Sequence, residues 1–177
     1  MSLQFDDNLD ISIFNFFQTK LYQDGWLVSG TNYAGSLIDS YPDDDMIKQI
    51  ITVSEARELT PDQLRDKYVL PVIGVDISTD SDAGLELGST SRLVRVTVAM
   101  AIFAETKRQR NTLGGFIKGY LRENIPIYNY NDWTSPVLYN YAVINRVVSN
   151  NIIVVGSPNK ALRHAKEIQF TFRIISP

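Results

Sequence analysis

Alternation of apolar and polar positions is clearest from Arg92 to Ala104. Val94, Val96, Val98, Met100 and Ile102 fall on one side of an extended chain, with Arg95 and Thr97 on the other, followed by Ala99, Ala101 and Phe103. Residues two apart on a strand share a face, so this segment reads as a strand buried on one side, its second side wet at first and drier later. At ~3.3 Å per residue it spans on the order of 40 Å, which predicts a strand that outruns its own sheet and meets a neighbour. YVLPVIGVDI, residues 68–77, comes before it and is rich in Val and Ile. Pro71 has no N–H for a ladder, which makes that segment an edge or a strand start. The polar STDSDAGLELGSTS between the two predicts a hairpin with a long tip. Late in the chain, Val137, Tyr139, Tyr141 and Val143 alternate with Leu138, Asn140, Ala142 and Ile144. From Lys166, Ile168, Phe170, Phe172 and Ile174 alternate with Gln169, Thr171 and Arg173. SNNIIVVGSPN, between these two strands, reads as a turn, a short strand and another turn.

The period changes to helical in two places. Leu9, Ile13, Phe16, Phe17 and Leu21 predict a helix with Asn8 or Asp10 as its cap and Gly25 as its stop; Ile11 and Phe14 make it apolar on more than one side. A second helix is predicted over Thr106 to Asn124, with Thr106 as cap and a stripe of Leu113, Phe116, Ile117, Tyr120 and Leu121. Gly114 and Gly115 each cost a helix about 1 kcal/mol relative to Ala, which points to close backbone packing. Pro126 stops this helix and IPIYNYNDW becomes a loop. Residues 26–67 are less regular: SYPDDD is a loop, MIKQIITVS a possible strand, and LTPDQLRDKY a short helix with Thr60 as cap and Pro61 at its first position. The element order predicts one α+β domain over residues 1–177, a mainly antiparallel sheet with helices packed on one face, and an irregular acidic excursion at about 32–67.

Charge changes the picture more than composition does. Residues 1–88 carry 16 Asp and Glu against 5 Lys and Arg, a balance of −11; residues 89–177 carry 4 acids against 12 bases, a balance of +8. Such a split points to an interaction function. The basic half faces nucleic acid, or the halves are complementary surfaces that meet between copies, or the charges mix on one surface. A heterologous contact between unlike patches closes into a ring when the rotation permits it. The centre of the basic half is KRQR, Lys107 to Arg110, in the first turn of the second helix, where the helix dipole disfavours cations. That placement suggests an external partner. The chain has no cysteine, which excludes disulfides, thiolate chemistry and Cys-ligated zinc. No apolar run approaches the ~18 residues of a membrane helix, and the acidic MSLQFDDNLD is unlike a secretory signal. These features predict a soluble product of a reducing cytoplasm.

Chemistry is harder to find. GTNYAGS, Gly30 to Ser36, has the glycine spacing of a phosphate loop but lacks its lysine. His164, the only histidine, has no carboxylate at a telling spacing. Asp43, Asp44 and Asp45 lack the alternating pattern of a calcium loop and read as a solvated acidic loop. Asp76, Asp80 and Asp82 fit a hairpin tip equally well. Arg92, Arg95, Lys107, Arg108, Arg110, Lys118 and Arg122, with Tyr128, Tyr130 and Trp133 for stacking, could serve nucleic acid. The sequence pI of about 5.1 speaks against that use. No catalytic residue, metal site or cofactor is predicted.

The block YVLPVIGVDI, a hairpin connection, and then SRLVRVTVAMAIFAETKRQRNTLGGFIKGYLRENIPIYNY resembles the neck and tail-terminator (tail-completion) proteins of tailed bacteriophages. In that family a leading helix precedes a hairpin that ends in a long strand, the strand runs through a polar turn into a helix, and late strands complete the sheet. Leu9 to Leu21, Val69 to Asp76, Arg92 to Ala104 and Thr106 to Asn124 stand in those places in order. The resemblance rests on element order and texture. It implies a non-enzymatic structural protein of the virion, assembled in the host cytoplasm as a ring, typically a hexamer, on the end of the tail tube. Its implied partners are further copies of itself, the tail-tube protein, the head-connector and neck proteins, and a sheath where one is present. Genomic DNA would pass the lumen without sequence-specific binding. Lys107, Arg108, Arg110 and Arg95 would then meet Asp43, Asp44 and Asp45 between copies or between stacked rings. Alternatives are another neck or tail component (stopper, head-completion or tube protein) or a small-molecule-binding α+β domain using the tyrosines from Tyr128 to Tyr141.

Overall fold

A computed structural model describes residues 5–24, 50–52, 72–84, 92–104, 106–132, 134–152 and 164–176. Helix α1 runs Phe5–Gln23 and helix α2 runs Lys107–Tyr120. The strands are β1 Ile50–Thr52, β2 Val72–Gly84, β3 Arg92–Ala104, β4 Ile125–Asn129, β5 Val137–Ile152 and β6 His164–Ser176. They form one sheet in the order β1-β2-β3-β6-β5-β4. β1 pairs parallel to β2 and the other pairings are antiparallel. The fold is therefore α+β with a mainly antiparallel sheet, as the pattern predicts.

Register explains where the core sits. Val94, Val96, Val98 and Met100 of β3 lie directly opposite Ile174, Phe172, Phe170 and Ile168 of β6, while Met100 and Ile102 lie opposite Val75 and Ile73 of β2. All of these side chains are buried. Fully burying each contributes about 1.5–3 kcal/mol, so matched phases across three strands supply the dominant apolar layer. Both helices cover this face. The Phe17 ring of α1 sits 5.7 Å from that of Phe170, and Leu113 and Ile117 of α2 join the same cluster. The other face is open, with Asp76, Ser78 and Asp80 of β2, Arg95 of β3, and Gln169 and Arg173 of β6 exposed.

Several expectations change. β3 does not outrun its sheet: each residue from Arg92 to Ala104 has a partner on β6, because β2, β3 and β6 are equally long at 13 residues. Pro71 directly precedes β2, the predicted strand start, and β1 makes β2 an interior strand. Ser149 to Ile152 continue β5, which reaches 16 residues. A register shift between Ile144 and Arg146 breaks the alternation there and places Ser149 and Asn151 opposite Ile168 and Lys166. IPIYN is an edge strand, not a loop. Ile125 and Ile127 are buried in it, and an edge strand tolerates Pro126 because its outer side needs no ladder N–H. Thr106 caps α2 as predicted, its Oγ1 accepting the Gln109 N–H at 3.1 Å. Phe116 is 40 % exposed and leaves the buried stripe. β1 occupies part of the possible strand in MIKQIITVS; the rest of the 32–67 excursion, with the short helix expected there, lies outside the described residues.

A candidate interaction surface

Asn8, expected as a cap, lies inside α1 and does a different job. Its Oδ1 accepts the Tyr130 N–H at 2.8 Å, and one turn later Ser12 Oγ accepts the Tyr128 N–H at 2.9 Å while donating to Asn8 O at 2.7 Å. An edge strand presents unpaired backbone groups that invite another chain. Here two buried polar side chains, one helical turn apart, satisfy part of the β4 edge. Asn15 continues the stripe by donating to the Tyr130 hydroxyl at 2.9 Å. Burial, more than any partner, raises the Tyr130 hydroxyl pKa. Below lies a half-open cavity of about 410 Å³ with Asn15, Thr19 and Gln23 on one wall and Pro126, Tyr128 and Pro136 on the other. Its lining cation, Lys20, is already paired to Glu123 at 2.6 Å and lies over the Phe16 ring. Tyr120 of α2 donates to Asp24 at the end of α1; burial first, then that carboxylate, holds its hydroxyl protonated far above the usual range.

β5, the strand beside the β4 edge, exposes apolar surface. Val137, Leu138, Tyr139, Tyr141 and Val143 of β5 and Ile175 of β6 are all exposed, Val137 by 67 %. Tyr141, Val143 and Ile175 share the open face of the sheet, whereas the Tyr139 ring lies 6.0 Å from that of Phe5 in α1. Tyr139 donates through its hydroxyl to Ile175 O at 3.0 Å, and Val143 lies opposite Arg173. A second register shift, where Ile127 and Tyr128 oppose Asn140 and Leu138, leaves Tyr139 as the extra residue. The open face also carries charge: Asp80 lies opposite Arg95, and Arg95 opposite Arg173, across β2, β3 and β6.

The predicted basic residues do not share one surface. Lys107 and Arg108 are exposed in the first turn of α2, whereas Arg110 is 7 % exposed and donates to Asn111 Oδ1 at 3.2 and 3.1 Å. Arg95 points to the open face, away from the helices, and its position is roughly 30 Å along β3 from Ala104 at ~3.3 Å per residue. Asp43, Asp44 and Asp45 lie outside the described residues, as do the Gly30 to Ser36 loop and Trp133. Asp76 and Asp80 are exposed on β2, and His164 is half-buried where β6 begins, opposite Ala104. Among the described residues no group of three or more His, Asp or Glu is placed to hold a metal ion, and no helix is long and apolar enough to cross a membrane.

Sequence reasoning missed the exposed apolar residues of β5, and Lys166. The signal for the first was present: both phases of Val137 to Ile144 are largely apolar, more than one buried face needs. No family model matches the chain, and no curated protein matches it in sequence.

Proposed function

We propose that this chain is a non-catalytic structural virion protein of a tailed phage, a ring subunit at the head–tail neck that terminates the tail tube and joins it to the head connector. The observation that carries the reading is the exposure of Val137, Leu138, Tyr139, Tyr141, Val143 and Ile175. Large apolar side chains left exposed on neighbouring strands point to an association site, and a subunit built for assembly has a use for them. The charge split along the chain, −11 against +8, supports contacts between copies. The resemblance in element order to tail-terminator proteins supports the place in the virion. In this reading the partners are further copies, the tail-tube and connector proteins and a sheath where the tail has one, and DNA passes without sequence-specific contact.

Native mass measurement and negative-stain imaging of the purified chain, alone and with tail tubes, test the proposal. The expected result is a closed ring that caps tube ends and is lost in Tyr141→Glu/Val143→Glu, with the monomer still folded. A strict monomer at high concentration that ignores tail tubes overturns it. The cavity beside Tyr128 and Tyr130 supports a second reading, a small-molecule-binding α+β domain. Lys20, its lining cation, is held by Glu123, so that reading describes binding and not acid–base catalysis.

A further inference from the structure

Arg110, Gly114 and Lys118 follow one another at single-turn intervals on α2, and Lys166 rises from β6 against the middle of that stripe. A Cβ at Gly114 would stand 2.9 Å from Lys166 Cδ and 3.5 Å from its Nζ. The missing side chain is what lets the ammonium lie there. The three cations feel one another: after burial, Lys118 and Arg110 are what lower the Lys166 pKa. Arg110 is buried, and its Nε and Nη2 are satisfied by a neutral amide, that of Asn111. No carboxylate among the described residues pairs with Arg110, Lys118 or Lys166. Like charges gathered at a partly buried site cost stability unless an anion completes them.

The surroundings suit an anion that arrives from outside. The row begins in the first turn of α2, which holds no acidic residue and where the helix dipole favours negative charge. α2 rests mainly on β3 and β6. The far half of β5 runs alongside β6 there, with Asn151 opposite Lys166 and Ser149 opposite Ile168.

We propose that the Arg110–Lys166–Lys118 row is a docking groove for an extended acidic segment of a second copy of this chain. The inference rests on the homo-oligomeric reading above and names the contact. Successive cations on the stripe are about 6 Å apart, and alternate carboxylates of an extended chain recur every ~6.7 Å. Asp43 and Asp45 offer that spacing in the acidic half of the chain, and the acidic pI of about 5.1 favours a carboxylate partner over a polyanion. Lys107 and Arg108, exposed at the helix start, are not part of the groove.

The test uses the full chain at concentrations where it sediments as a monomer, with a labelled peptide of residues 37–47, LIDSYPDDDMI. The peptide is expected to bind with an affinity that falls as salt rises. Lys118→Gln and Lys166→Gln should each weaken it about ten-fold, the scale of one charge-assisted hydrogen bond. Lys166→Arg should preserve binding, Lys107→Gln should leave it unchanged, and the Asp43→Asn/Asp45→Asn peptide should not bind. Absence of peptide binding overturns the groove, as does equal binding by the Lys118→Gln/Lys166→Gln double variant. A DNA duplex that binds at these lysines where the peptide does not overturns it in favour of a phosphate partner. A ring that survives in the double variant sinks the groove and keeps the ring; peptide binding by a permanent monomer keeps the groove and sinks the ring.

Discussion

Asn8→Ala tests whether α1 is fastened to the sheet edge by backbone hydrogen bonds. In the parent, Asn8 Oδ1 accepts the Tyr130 N–H at 2.8 Å, and Tyr130 is 3 % exposed. The variant removes the acceptor where water cannot easily replace it. A buried donor left without a partner costs about 1–3 kcal/mol. Ala in turn offsets part of this, because it is a better helix former than Asn by about 0.5–0.7 kcal/mol. The expected net loss is therefore about 0.3–2.5 kcal/mol, set against the ~5–15 kcal/mol typical of a domain. Urea unfolding should show a lower midpoint with an unchanged slope, since the surface exposed on unfolding is the same. Amide exchange should accelerate at Tyr130 first and at Tyr128 next. Ser12→Ala should act alike, because Ser12 Oγ accepts the Tyr128 N–H at 2.9 Å. The double variant should cost less than the sum, since the two residues serve one seam. Thr19→Ala, an exposed position on the same polar stripe, is the control and should stay within about 0.5 kcal/mol. An Asn8→Ala protein as stable as the parent, with unchanged exchange at Tyr130, would show that the seam is held by apolar packing alone.

Phe17→Ala should destabilise by about 3–5 kcal/mol in the same unfolding assay, because the ring is fully buried between Phe16 and Phe170. Asp10 gives a pH dependence: partial burial, then the carboxylates of Asp6, Asp7 and Asp76, push its pKa up to about 6. A folded-state acid raised above its ordinary value of 3.8 holds its proton more tightly in the native state, so stability falls as pH rises from about 4 to 6. Its surface stays exposed and solvent screens much of the effect. Asp10→Asn should accordingly raise the urea midpoint at pH 7 and leave it unchanged at pH 3, with a flatter profile between.

Some of this molecule is written in local spacing. Val94 to Ile102 and Ile168 to Ile174 each show one apolar phase, so their strands, their buried faces and the α+β class can be read without coordinates. Thr106 is readable as a cap because its role involves an amide three residues away. Asn8 is not, because its acceptor serves an edge strand 122 residues later. β5 resists reading because its two register shifts interrupt the period on which such reading depends. The basic cluster looked like a unit in sequence, but 3.6 residues per turn sends Lys107 and Arg108 to solvent and Arg110 inward.

What the sequence determined alone is the set of elements, their apolar faces and the separation of acidic from basic halves, because near neighbours along the chain decide each of these. Only the tertiary structure decided which faces remain uncovered. α1 lies mainly along β4 and α2 over β3 and β6, all on one face, which leaves Tyr141 and Val143 exposed on the other face of β5. The same packing brings Lys166 against Gly114, between Arg110 and Lys118. Residues 52 positions apart meet there only because β6 pairs with β3 under α2, and no local period records that meeting.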